Sequence, residues 1–190
     1  MNSDPVICSD SALPYDALLV VSFGGPEKPE DVIPFLENVT RGRNIPAERL
    51  QEVAQHYYYF GGKSPINDQN RALIAALREE LDREGPRLPI YWGNRNWHPF
   101  LADTLRQMRA DGIRRALAFI TSAYSSYSGC RQYRENIGQA QQTVGAGAPA
   151  VERLRVFYNH PHFIEATSDR LTDALTRFPA EKRDKVYVVF

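Results

Sequence analysis

Four stretches of this 190-residue chain carry side chains whose types and spacing could do chemistry. Ser22-Phe23-Gly24-Gly25-Pro26 sets a hydroxyl and an aromatic ring at a glycine turn, directly after an apolar run. Asn38-Val39-Thr40-Arg41-Gly42-Arg43 brings a hydroxyl and two guanidinium groups into one loop. Such a pair of arginines can hold a carboxylate or a phosphate through forked hydrogen bonds. Phe60-Gly61-Gly62-Lys63-Ser64-Pro65-Ile66-Asn67 reads as the start of a helix, whose free N–H groups also favour an anion. The fourth runs through the hydroxyl-rich segment 121–128 to Tyr133. Each is also what a helix cap or turn needs, so none is a site by residue type alone.

Several chemistries are not supported. Gly24-Gly25 is not a dinucleotide-binding turn, and no phosphate-loop lysine, HExxH, CxxC or GxSxG pattern occurs. His160-Pro161-His162 invites a metal, but residues two apart do not share a helix face, and a polar helix start is the plainer reading. Lysine plus arginine and aspartate plus glutamate both number 23, which gives no reason to expect nucleic acid or an acidic membrane surface. Cys8 and Cys130 stand in unlike contexts, against a disulfide framework. The N-terminus has Asp4 and Asp10 and no basic residue ahead of its first apolar run, unlike a targeting signal. No apolar run approaches the roughly 20 residues that span a bilayer. The expectation is a soluble cytoplasmic protein.

The elements that must position these residues are legible from periodicity. The apolar run 17–21 has strand length and no alternation, the pattern of a strand buried on both faces. Helical segments follow at 27–39, 47–60 and 66–84, the last with Ile66, Leu73, Ile74, Leu77 and Leu81 at helical spacing. A second strand is expected at 88–93, a helix at 99–111, a third strand at 116–120 and a helix running to about 144. A fourth strand at 154–158, a helix at 161–178 and a fifth strand at 186–190 complete the alternation. Strand alternating with helix predicts an α/β fold, a doubly wound, Rossmann-like parallel sheet of five strands behind a loose tail over 1–14. Ligands gather beyond the carboxyl ends of such strands, where the candidate loops fall. A sequence that stops on a buried strand, with no return element, leads to the expectation of a truncated chain.

Read together and in order, Phe23-Gly24-Gly25-Pro26, the 38–43 loop, the 60–67 turn and Gly93-Asn94-Arg95-Asn96-Trp97 resemble the ferrochelatases. The resemblance covers about residue 16 to 190 and is closest to the coproporphyrin-using enzymes of Gram-positive bacteria, the actinobacterial branch in particular. It implies insertion of Fe(II), as substrate, into a porphyrin held between two Rossmann-like domains in haem biosynthesis. This chain would be the first domain, spanning 15–190 with the start of the second. By the family's pattern Ser64 and Tyr133 contact the porphyrin. Thr40, Arg41 and Arg43 stand where polar contacts to its propionates are made, and Gln55 and His56 form a further contact pair. Phe23 departs from relatives whose tyrosine can ligate the product's iron; it has no oxygen and can only pack against the ring.

The family's His-Ser-x-Pro motif, and a glutamate well beyond it, bind the metal and take the pyrrole protons. Both would follow Phe190, so no catalytic residue is expected within these 190 residues. His56, His98, His160 and His162 do not stand in that context. Metal insertion needs a base facing the ring centre, and bending the macrocycle costs roughly 1–5 kcal/mol that ring contacts must offset. The residues here can hold and shape a ring but supply no base. Some family members hold a [2Fe–2S] cluster with one cysteine near Cys130; four thiolates are usual, so Cys130 would serve only in a longer protein. The expected partner is a porphyrin, coproporphyrin III foremost, with the protein a monomer. The competing expectations are a porphyrin- or haem-binding module without catalysis, or another chelatase-like fold with a different ligand.

Overall fold

A computed structural model of the chain describes residues 14–127 and 131–187. Its centre is β1 (Ala17–Ser22), all six residues of which are buried. Strand β2 (Ile90–Asn94) pairs with it on one side and β3 (Arg115–Ile120) on the other, both parallel, with Leu19 opposite Tyr91 and Ala118. Strand β4 (Ala150–Arg153) pairs parallel with β3, giving the order β2-β1-β3-β4. Parallel neighbours need crossovers, and the helices that supply them cover both faces, so the strand ends open on one edge.

The two faces can be told apart by their partners. Ala17, Leu19 and Val21 point with Ala116, Ala118 and Ile120 into a core completed by α4 (Leu101–Ala110) and α5 (Gln132–Val144). Leu105 and Met108 are fully buried there. On the opposite face Phe119 stacks on Phe157, which meets Phe163 of α6 (Pro161–Thr176) edge-on. Arg71 of α3 (Ile66–Glu84) lies over Trp92 of β2. A second, smaller core joins Val32, Phe35 and Leu36 of α1 (Val32–Val39) to Ala54 of α2 (Ala47–Tyr59). Helices on both faces of a parallel sheet are the doubly wound fold.

Two expected strands differ. The fourth lies at 150–153, ahead of the apolar run 154–158. It is an edge strand, where one side faces water and polar residues are tolerated. Glu152 there pairs with Arg115 at 2.8 Å and accepts a hydrogen bond from Tyr15. The Leu154 N–H still donates to Ala118 O at 2.9 Å; beyond it the chain leaves the ladder, and Phe157 is held by its ring contact with Phe119. The expected fifth strand is absent among the described residues, so the described sheet has four strands. A 3₁₀ turn spans Ala180–Lys185, and the Val186 N–H turns back to the Arg183 carbonyl, which takes it away from a ladder. Residues 188–190 of that run, the 1–13 part of the tail, and Cys130 lie outside the described residues. The helix expected over 27–39 begins as a 3₁₀ turn at Pro29–Asp31 and becomes α-helical at Val32.

Candidate functional site

The loops after β1 and β2 are tied to each other by backbone bonds. The Arg95 N–H donates to Ser22 O at 3.0 Å and the Asn96 N–H to Phe23 O at 3.1 Å, which carries the pairing past the ends of both strands. The turn at Gly25 is then pressed against the start of α3. A Cβ at Gly25 would lie 2.7 Å from the Ser64 Cβ and 2.8 Å from its Oγ, so only glycine allows this approach. The Ser64 N–H donates to Pro26 O at 2.8 Å.

Two buried amides hold this junction together. Asn67 donates from Nδ2 to the Gly25 carbonyl at 3.2 Å and to Glu27 Oε1 at 3.1 Å. Its Oδ1 accepts from Asn94 Nδ2 at 3.2 Å. Asn94 also donates to His98 O at 2.9 Å and accepts from the Trp92 indole at 3.0 Å. Both side chains are fully buried, so nearly every polar atom has to be satisfied internally. Glu27 is also held by Arg71, which bonds Asp68 in turn.

Ser64 opens onto a hollow of about 230 Å³ lined by His56, Tyr57, Phe60, Lys63 and Pro65. Gly62, at φ +74°, makes the turn that folds the end of α2 back onto it; its N–H bonds Tyr57 O at 2.7 Å, and any Cβ would strike Pro29. The structure thus joins two of the expected residues, Ser64 and His56, and leaves Gln55, an exposed residue of α2, out of the lining. Tyr57 takes that place. Its ring meets Phe35 at 5.9 Å, and partial burial raises its hydroxyl pKa above the ordinary tyrosine value. Phe35 also meets Phe23 and Trp97 edge-on, so Phe23 and the hollow share one aromatic wall. Lys63 is engaged with Asp68, whose carboxyl is held below the usual range chiefly by that bond.

Phe23 is 36% exposed at the rim. Over its ring, at 5.6 Å, lies the Arg95 guanidinium, which also covers the ring of Tyr133 at 4.7 Å. Tyr133 itself is only 5% exposed and belongs to the main core. Burial raises its pKa, opposed by the Arg95 charge and by hydrogen bonds with Arg95 and Thr121. Arg95 was not among the site residues expected from the sequence, although it stands within the Gly93-Asn94-Arg95-Asn96-Trp97 run that carries part of the resemblance.

The 38–43 loop divides. Thr40 spends its hydroxyl proton on Leu36 O at 2.7 Å, closing the end of α1. Arg43 is exposed, and its N–H bonds Thr40 O at 2.8 Å. Arg41 instead lines a second groove, of about 440 Å³, with Asn38, Arg95, Arg106 and Asn136. His160 and His162 have ring centres 5.3 Å apart, and no group of three or more His, Cys, Asp or Glu able to hold a metal occurs among the described residues.

The family profile for ferrochelatase matches residues 15–190. The chain belongs to the ferrochelatase family. It is 59% identical over 182 residues to the coproporphyrin III ferrochelatase of Streptomyces coelicolor, covering 94% of this chain and 48% of that protein. It is 65% identical over 161 residues to the ferrochelatase of Rhodopirellula baltica, covering 85% of this chain and 46% of that one. The coproporphyrin III ferrochelatase of Nocardia farcinica is 57% identical over 175 residues, 92% of this chain and 50% of its own. The chain spans about half the length of these ferrochelatase relatives. No helix among the described residues is long and apolar enough to cross a membrane.

Proposed function

We propose that this chain is the porphyrin-holding part of a ferrochelatase that inserts Fe(II) into coproporphyrin III, releasing two protons. The observation that supports it most is the aromatic run Phe23 to Phe35 to Tyr57, with Ser64 and His56 at its Tyr57 end and Arg95 lying over the Phe23 ring at the other. A flat macrocycle needs an apolar face, and its carboxylates need cations at the edge of that face. In this reading Phe23 packs on the ring, Ser64 and His56 meet it from the α2–α3 turn, and Arg41 and Arg43 serve its propionates. Thr40 turns a lone pair of its hydroxyl to the same ligand. Tyr133 backs the wall beneath Arg95, and Gln55 is a contact only if its side chain swings toward the hollow. That coproporphyrin III is the substrate rests on the names of the actinobacterial relatives.

None of His56, His98, His160 and His162 stands in the family's His-Ser-x-Pro context, so the 190 residues alone are proposed to bind the ring and insert no iron. A [2Fe–2S] cluster does not fit this chain's two cysteines, since four thiolates are the usual set. No step is assigned to one. The test is to titrate the chain with coproporphyrin III by fluorescence and then add Fe(II) anaerobically. Ring binding without metallation is expected; rapid metallation would show that the chain holds its own base.

A further inference from the structure

We propose that Arg95 is a carboxylate anchor of the macrocycle, acting with Arg41 at the edge of the aromatic wall; this rests on the porphyrin reading above. The position follows from the fold. The Arg95 N–H bonds Ser22 O, which fixes its backbone at the carboxyl ends of β1 and β2, where the sheet opens. From there the guanidinium lies against two aromatic faces, those of Phe23 and Tyr133. It is gripped by two neutral amides of α5: Nε donates to Asn136 Oδ1 at 2.6 Å and Nη2 to Gln132 Oε1 at 3.2 Å.

What is missing from this grip is a negative charge. Among the described residues no carboxylate lies within ion-pair distance of Arg95, whereas Arg106 and Arg115 each hold one and Arg71 holds two. Those three side chains are about half exposed, where an ion pair contributes little. Arg95 is itself part-buried, where a lone cation is costlier to keep. Its amide partners use two of the five N–H groups, leaving three that can reach an acceptor. Of the three arginines lining the 440 Å³ groove, Arg106 is paired with Asp103, and Arg41 and Arg95 have no carboxylate among the described residues. Two uncompensated cations on one groove, one of them rigid and in contact with Phe23, suit a propionate of a ring packed on that phenylalanine. A rigid planar fork loses little entropy on taking a carboxylate, which distinguishes Arg95 from the exposed Arg43.

The test separates charge recognition from packing. The 190-residue chain and its Arg95→Gln and Arg95→Lys variants are titrated with coproporphyrin III and with its tetramethyl ester in detergent, following porphyrin fluorescence. Arg95→Gln should weaken the free acid about tenfold and the ester less than about twofold. Arg95→Lys, which keeps the charge and loses the fork, should fall between. Equal losses for acid and ester, or no loss for the acid, would overturn the proposal. If the unaltered chain binds neither compound, the porphyrin reading itself fails, and this proposal with it. Circular dichroism of Arg95→Lys shows whether the fold survives, so that a collapsed Arg95→Gln does not decide the matter.

Discussion

Asn67→Ala is the sharpest test of how the Gly25 turn is built. The substitution removes the donor to the Gly25 carbonyl and to Glu27, and the acceptor of Asn94 Nδ2, at a position with no exposure. Each buried group left unpaired costs about 1–3 kcal/mol, with some relief where water enters the space vacated. Two such groups lie within the protein, the Gly25 carbonyl and the Asn94 amide, while the Asn94 amide keeps its bond to His98 O. The expected loss is therefore about 2–4 kcal/mol. For a chain of this size that lowers the midpoint of thermal unfolding by about 5–15 °C. Urea unfolding followed by far-ultraviolet circular dichroism gives the free energy directly. Because the two amides are partners, Asn67→Ala combined with Asn94→Ala should cost less than the two single losses added together. A single-variant loss under about 0.5 kcal/mol, or strict additivity in the double variant, would refute the assignment of the amide pair as the junction's support.

Two further outcomes follow from the same geometry. Gly25→Ala forces a Cβ into Ser64 and Ile66; it should lower stability by about 1–3 kcal/mol and weaken porphyrin binding through displacement of Ser64, both measurable on one preparation. Asp16 accepts the Arg115 and Arg114 N–H groups at 2.9 and 2.8 Å, and these bonds hold its pKa below the ordinary aspartate value. Its contribution is complete above the unfolded-state pKa and is lost as pH falls through the lower folded value. The stability gap between the unaltered chain and Asp16→Asn should thus be constant above about pH 5 and close below about pH 4. A gap that widened on acidification would contradict the sign.

The strand that organises the molecule was readable because burial on both faces leaves an unbroken apolar run, and 17–21 is such a run. An edge strand carries no such signal. Glu152 and Arg153 disguise β4, while Phe157 and Tyr158 after it pack by their rings outside the strand. The site was readable to the extent that it lies in turns with fixed chemistry, as Ser64 and the glycines do. Arg95 was hidden because its role arises only when β1, β2 and α5 converge, and nothing local distinguishes it from a surface arginine. Tyr57 and Gln55 flank the same histidine, and only the direction of α2 places one in the hollow and the other outside it. The Asn67–Asn94 pair joins residues 27 apart in sequence, beyond the reach of any motif.

The measurement that bears most directly on the central claim is the coproporphyrin III titration of the chain, repeated with Ser64→Ala and His56→Ala. Saturable quenching of porphyrin fluorescence, weakened several-fold by either substitution and followed by no metallation when Fe(II) is added, is the result this account predicts. Binding indifferent to both substitutions, or turnover by the chain alone, would contradict it.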